Sequence, residues 1–244
     1  MDQWRERIHQ RPDAILFDLF ETLITEYEPV WTPSPTIAEQ LGIDEFAFSA
    51  AWSALSARRM TGKLSSFSQA LREIGDSLGH QLDEQVIAHL TQERLAVKAQ
   101  PFARIADDIL TLLYHLNNRA VKLSVLSNAA SEEVAAWSAS TLAPFFADAV
   151  FSYQVGLTKP NQQIYLLACQ RLGVSPAHTW FVGDGGSDEL VGAAQAGLTP
   201  YWARWYLDRW PQWKMSARLR DHAAFFPSLH LPNELVDIID RIER

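Results

Sequence analysis

Many class-defining features are scarce or missing in this sequence. It holds one cysteine, Cys169, among 244 residues, so no disulfide can form within the chain. That fits a reducing compartment. Cys169 lies in IYLLACQRL, an apolar helical pattern, and reads as core filling rather than as a nucleophile. No stretch approaches the about 18 uninterrupted apolar residues that suggest a membrane span. The polar start, MDQWRERIHQRPD, has no apolar centre of the kind a secretory signal needs. Positive charge is also scarce: 21 Lys and Arg stand against 29 Asp and Glu, a net charge of −8. A broad basic surface for nucleic acid is therefore not expected. There is no internal repeat and no low-complexity tract. The expectation is a cytoplasmic protein with neither membrane nor nucleic acid as partner. A hydrophobic content of 48% over this length supports one large domain, or a core with an insertion, without staples.

What is present begins with AILFDLFETLIT, residues 14–25. An unbroken apolar run, Ala14 to Phe17, reads as a strand buried on both faces, the kind found in parallel sheets. Asp18 stands where that strand emerges. Open α/β sheets bind ligands outside the carboxyl ends of their strands, so a carboxylate there suits chemistry. A loop aspartate that caps the next turn is the plain alternative.

Residues 27–100 show helical periodicity and almost no strand signal. Helices are expected near 35–41, 44–60, 66–78 and 83–98. Asp44 and Ser66 suit their starts, and Gly42, Gly62 and Gly79 suit stops. After Pro101 the pattern alternates. A helix over 105–118 leads to a strand, 121–126, ending in Ser127-Asn128. A helix capped by Ser131 is expected over 131–142, then a strand at 147–151 and the loop GLTKP, 156–160. A helix over 161–172 precedes a strand, 179–182, which ends in Gly183-Asp184. A helix over 187–196, a strand from Pro200, a last strand within 223–229 and a helix over 231–242 capped at Asn233 complete the series. Repeated βα units argue for a parallel sheet with right-handed crossovers.

Four strand ends thus offer polar groups to one crevice: Asp18, Ser127 with Asn128, Lys159, and Asp184 with Asp188. Carboxylates gathered there repel. At ~4 Å and an effective dielectric of ~20, each pair costs about 4 kcal/mol, so a shared proton or cation is needed.

The order and spacing of FDLFETL, VLSNA, GLTKPNQQIY and VGDGGSDELVGAAQAG resemble the haloacid dehalogenase superfamily, a hydrolase group dominated by phosphatases. The resemblance runs nearly the whole chain from residue 14. It implies an α/β, Rossmann-like three-layer core with a parallel sheet, made of residues 1–26 and 101–244. It also implies an inserted α-helical cap at 27–100. Asp18 would be the nucleophile that forms an aspartyl-phosphate, and Lys159 would neutralise it and the phosphoryl group. Thr22 would orient the first loop, and Ser127 would donate to phosphoryl oxygens. Asn128 would join them at the substrate, or act as a local turn residue. Mg2+ would be held by Asp18, the backbone carbonyl of Phe20, Asp184 and Asp188. Either of the last two acids would otherwise cap the helix at Ser187. The implied reaction is magnesium-assisted hydrolysis of a small anionic phosphorylated metabolite.

Two positions depart from the family pattern. A second aspartate usually follows two residues after the nucleophile as general acid and base; here it is Phe20. The next position, usually glycine, is Glu21, a substitute proton carrier by hypothesis. Aromatic residues at the second position occur in 2-haloacid dehalogenases, which act without metal and form the first rival reading. The second rival is a non-catalytic member that binds a protein partner through residues 201–215. That segment holds Trp202, Trp205, Trp210 and Trp213, with Arg204, Arg209 and Lys214 among them and Arg218 and Arg220 beyond. A surface excursion whose rings cover a neighbouring helix is the plainer reading of it.

Overall fold

The apolar run Ala14–Phe17 forms the strand β1, and all four of its residues are buried. The computed structural model describes residues 3–26, 36–210 and 223–244. After β1 the chain builds a helical insert: α1 (Ile37–Leu41), α2 (Glu45–Ala54), α3 (Ser56–Met60), α4 (Phe67–Leu78) and α5 (Glu84–Ala99). The side chains of Asp44 and Ser66 accept the Ala47 and Gln69 amides, as expected of N-caps. Gly42 and Gly79 end α1 and α4 in the left-handed conformation. The single helix expected over 44–60 is parted at Leu55. The break lets Arg59 of α3 lie over the Trp52 ring of α2, 3.6 Å from its centroid. Ala38, Ile43, Phe48, Phe67, Leu71, Ile74, Ile87 and Leu90 give the insert an apolar cluster of its own.

The remainder alternates: α6 (Asp107–Asn118), β2 (Lys122–Ser127), β3 (Asp148–Phe151), α7 (Ser152–Val155), α8 (Gln162–Leu172), β4 (Thr179–Gly183), α9 (Glu189–Gln195), β5 (Thr199–Ala203), β6 (Ser228–Leu229) and α10 (Glu234–Ile242). The strands pair in the order β3-β2-β1-β4-β5-β6, every pair parallel. Successive residues of β1 serve opposite faces. Ile15 and Phe17 pack with Leu112 and Leu116 of α6 and Leu235 and Ile239 of α10. Ala14 and Leu16 pack with Ile164 and Ala168 of α8 and Leu190 and Ala193 of α9. This is the three-layer Rossmann-like core that the βα alternation predicts. Strand order reverses at β1, so β1, β2 and β4 end around one crevice.

Some expectations fail locally. Residues 131–142 form no α-helix but short 3-10 turns, Ser131–Glu133 and Trp137–Ala139. Polar contacts outbid the helical ladder there. Glu133 accepts its own Ala130 amide, the Ser140 hydroxyl bonds back to the Trp137 carbonyl, and Ser131 donates to the Ser65 carbonyl instead of capping. The strand expected within 223–229 shrinks to Ser228–Leu229. Asn233 precedes α10 without a side-chain cap bond.

The insert is tied to the core by charge. Arg59 bonds Glu132 at 2.9 Å, both being buried. Arg94 bonds Glu132 and Glu133 at 3.2 Å each. Lys98 reaches Glu26 at 2.6 Å and Glu133 at 3.7 Å. Glu132 follows the loop after β2, so these pairs fasten α3 and α5 beside the crevice.

Candidate active site

Asp18 is the first residue beyond β1. Its amide donates to the Val182 carbonyl of β4 at 2.8 Å, which holds it at the sheet edge. Its carboxylate is buried, with 6% of the residue exposed. Lys159 Nζ donates to Asp18 Oδ1 at 2.5 Å and also to Glu189 Oε2. The Thr22 hydroxyl lies 3.4 Å from Asp18 Oδ2. One oxygen each of Asp18, Asp184 and Glu189 lie within 4.8 Å of one another.

The expected Asp18, Lys159 and Asp184 therefore converge. Asp188 does not join them; Glu189, which the sequence reading passed over, takes the place. The cause is local backbone. Ser187 and Asp188 both adopt left-handed conformations, φ 55° and 53°, in the 3-10 turn ahead of α9. That turn brings the next residue, Glu189, to the crevice. Gly192 allows α9 its approach to the lysine loop, because a Cβ there would stand 2.5 Å from the Pro160 carbonyl oxygen. The signal for Glu189 was its place as first residue of the periodic run ELVGAAQ, one step past the more obvious aspartate.

Asn128 has a backbone partner. Its amide donates to the Lys159 carbonyl at 3.0 Å and accepts the Lys159 N–H at 2.8 Å. It aligns the lysine loop with both ends of its side chain. Ser127 is buried at the end of β2, and its hydroxyl has no hydrogen-bond partner among the described residues. Phe20 is half-buried, its ring centroid 6.0 Å from Lys98 Nζ. Glu21 is not aimed at the acid cluster. Its carboxylate accepts the Thr25 hydroxyl at 2.6 Å and the Glu26 amide at 2.8 Å, closing its own turn. The residue sits at φ 55°, a conformation that favours glycine.

The electrostatics are lopsided. Three acids, Asp18, Asp184 and Glu189, face one lysine, a formal balance of −2. Burial, and then the charge of Asp18, push the Asp184 carboxyl up to about 6. Burial raises Glu189 well above the usual carboxylate range, against the pull of Lys159. Burial opposes the charge on Lys159, but Asp18 and Glu189 outweigh it and hold the ammonium protonated.

Of the Trp-rich stretch, residues 211–215 lie outside the described residues, as do Arg218 and Arg220. Trp202 and Trp205 are buried, with 4% and 3% exposed. Trp205 lies in the apolar cluster on one face of the sheet and Trp202 in the cluster on the other.

Comparison with known proteins gives the family and the fold. Residues 12–197 match the family model described as a haloacid dehalogenase-like hydrolase. A glyceraldehyde 3-phosphate phosphatase of Methanopyrus kandleri is 29% identical over 138 residues, 56% of this chain and 57% of that protein. One of the same name from Methanothermobacter thermautotrophicus is 30% identical over 36% of this chain and 39% of its own length. The chain thus spans about half or less of these curated relatives. A 2-haloacid dehalogenase from Pseudomonas syringae pv. Tomato has TM-score 0.62 at 23% identity, covering 93% of this chain and 98% of its own. A haloacid dehalogenase family enzyme of Bacteroides thetaiotaomicron, solved with magnesium and inorganic phosphate, has TM-score 0.56 at 17% identity, covering 78% and 93%. At these identities the two structures share the fold. With the family match extending over most of its length, the chain belongs to the haloacid dehalogenase-like hydrolases.

Proposed function

We propose that the protein is a magnesium-dependent phosphatase of a small phosphorylated metabolite, acting through an aspartyl-phosphate on Asp18. The observation that carries this is the under-neutralised cluster: three acids within 4.8 Å, Asp18 and Glu189 buried and Asp184 half-buried, with one lysine. Its donor set is all oxygen, and its charge deficit equals one divalent cation, so the residues fit Mg2+. Asp18, Asp184 and Glu189 would hold it, with the Phe20 carbonyl. Bound there, it would supply positive charge to the transferring phosphoryl oxygens. The names of the curated relatives point to a short phosphorylated aldehyde or alcohol as substrate.

An Asp18 carboxylate oxygen attacks phosphorus, the bond to the leaving oxygen breaks, and an acyl phosphate forms. Water then attacks that phosphorus, the Asp18–phosphorus bond breaks, and inorganic phosphate leaves. Lys159 balances charge on Asp18 and the phosphoryl group throughout. Ser127 offers a buried, unpartnered hydroxyl to a phosphoryl oxygen. Thr22 keeps Asp18 oriented. Phe20 cannot protonate the leaving oxygen, and Glu21 is spent on its own turn, so water supplies that proton. Such assistance is worth about 10²–10⁴ in rate, and its loss predicts a slow enzyme or an easily expelled leaving group. We propose that the insert, residues 27–100, is the cap that shields this chemistry.

Phe20 also favours a second reading, halide displacement from a 2-haloacid by the same aspartate. Phosphate release from glyceraldehyde 3-phosphate and p-nitrophenyl phosphate, run with and without Mg2+ beside chloride release from 2-chloropropionate, separates the two. Magnesium-dependent phosphate release, lost in Asp18→Asn, is expected. Metal-independent chloride release alone would replace the phosphatase reading.

A further inference from the structure

Two tryptophans reach the two loops that carry the acids. Trp205 Nε1 donates to the Thr22 carbonyl at 2.8 Å, across 183 positions of sequence. Trp202 Nε1 donates to the Asp184 carbonyl at 2.8 Å. Both side chains come from the carboxyl end of β5 and the turn after it. We propose that Trp202 and Trp205 are positioning residues for the hydrolytic reaction, each fixing one peptide plane in a catalytic loop through its indole N–H. The proposal rests on the hydrolase reading of the site.

The peptide geometry carries the argument. A carbonyl and the next residue's N–H belong to one rigid plane and point in opposite directions. The plane whose carbonyl faces Trp202 has Gly185 N–H on its other side, and that N–H donates to Glu189 Oε1 at 3.0 Å. Trp202 therefore orients a donor onto a carboxylate of the acid cluster. Gly185 makes this possible at φ +90°, with a Cβ position only 3.4 Å from Trp202 Nε1. The plane whose carbonyl faces Trp205 has Leu23 N–H on its other side, and that N–H donates to the Leu19 carbonyl at 2.9 Å. It closes the turn that sets the Thr22 hydroxyl beside Asp18. Loop carbonyls beyond a strand end have no ladder partner, and a buried one needs a donor. Phenylalanine or leucine would fill the same space without providing it. This also accounts for the tryptophans that composition alone assigned to a surface.

The test removes the N–H and little else. Trp202 and Trp205 are each changed to Phe and, separately, replaced by the isosteric benzothiophene amino acid, which keeps the ring shape without the donor. Trp180→Phe is the control. Trp180 is a buried ring packed on Tyr201, near the opposite end of its strand. Exchange of the Gly185 and Leu23 amides is followed by NMR without metal or substrate, and kcat and KM are measured for p-nitrophenyl phosphate with Mg2+. Both Trp202 variants are expected to speed Gly185 exchange and leave Leu23 unchanged, and the Trp205 variants to do the reverse. Each lowers kcat by about tenfold at similar KM, a modest share of the roughly 10²-fold that misplacement can cost. Trp180→Phe lowers the melting temperature and changes neither amide. Benzothiophene variants with wild-type exchange and wild-type kcat would overturn the proposal. Wild-type protein silent toward phosphate esters would instead sink the phosphatase reading, while the exchange data still decide whether the indoles hold the loops.

Discussion

Two clusters of charge lie on either side of the loop after β2, and they are built to opposite plans. At the junction between insert and core, Arg59, Arg94 and Lys98 meet Glu132, Glu133 and Glu26. Three positive groups face three negative ones, and the formal sum is zero. At the crevice, three acids share Lys159, and the sum is −2. Each cluster has a buried ion pair at its centre, Arg59 with Glu132 in one and Lys159 with Asp18 in the other. The difference is what each cluster is for. A balanced cluster satisfies itself and holds two parts of the fold together. On the proposed reading, the unbalanced one keeps its unfavourable charge for a divalent cation.

Stability and activity should therefore respond in opposite senses to neutralising one acid in each cluster. The largest effect is on turnover. Asp18→Asn should reduce phosphate release by at least about 10³-fold, since the nucleophile is gone, while circular dichroism stays native. Next comes Glu132→Gln at the junction. Removing one member of a buried pair leaves Arg59 with only Glu133, 3.9 Å away, and should cost about 3 kcal/mol in urea unfolding, the low end for a broken buried pair. Asp184→Asn without metal should do the reverse and raise stability, because the wild-type carboxyl is held at about 6 against an ordinary 3.8. Each pKa unit of such a rise is about 1.4 kcal/mol of penalty on the charged form. Equal destabilisation by both substitutions would erase the contrast.

A pH series sharpens it further. Burial works against the Glu132 charge, but hydrogen bonds from backbone and Arg59, with the charges of Arg94 and Arg59, hold its carboxyl below its ordinary 4.5. A depressed carboxylate contributes stability above its unfolded pKa and loses it as pH falls through the folded one. The stability gap between wild type and Glu132→Gln should thus be flat from neutrality to about pH 5. It should narrow below 4.5. A gap that widens in acid would reverse the assigned sign. The smallest effect belongs to the exposed Arg58–Glu73 pair on the insert, where Arg58→Ala should cost less than about 1 kcal/mol.

The sheet was legible because buried parallel strands leave unbroken apolar runs, such as Ala14–Phe17, between helical periods. Asp18, Lys159 and Asp184 were legible because each follows such a run or sits on the loop between two βα units. Glu189 was not. In SDEL the two acids are adjacent, and which one meets the crevice depends on two left-handed residues that no periodicity announces. The 131–142 segment was misread for a related reason. Its helical pattern is genuine, but Glu132 is drawn to arginines 38 and 73 positions earlier. The indole contacts were hidden as well, since hydrogen bonds across 18 and 183 positions leave no local trace.

The account's central claim is met most directly by titrating Mg2+ calorimetrically into wild-type protein, Asp184→Asn and Glu132→Gln. One ion per wild-type chain is expected, with affinity at least about tenfold weaker in Asp184→Asn, by analogy with losses seen on disturbing metal ligation, and unchanged in Glu132→Gln. Equal binding by wild type and Asp184→Asn, or no binding by either, would contradict it.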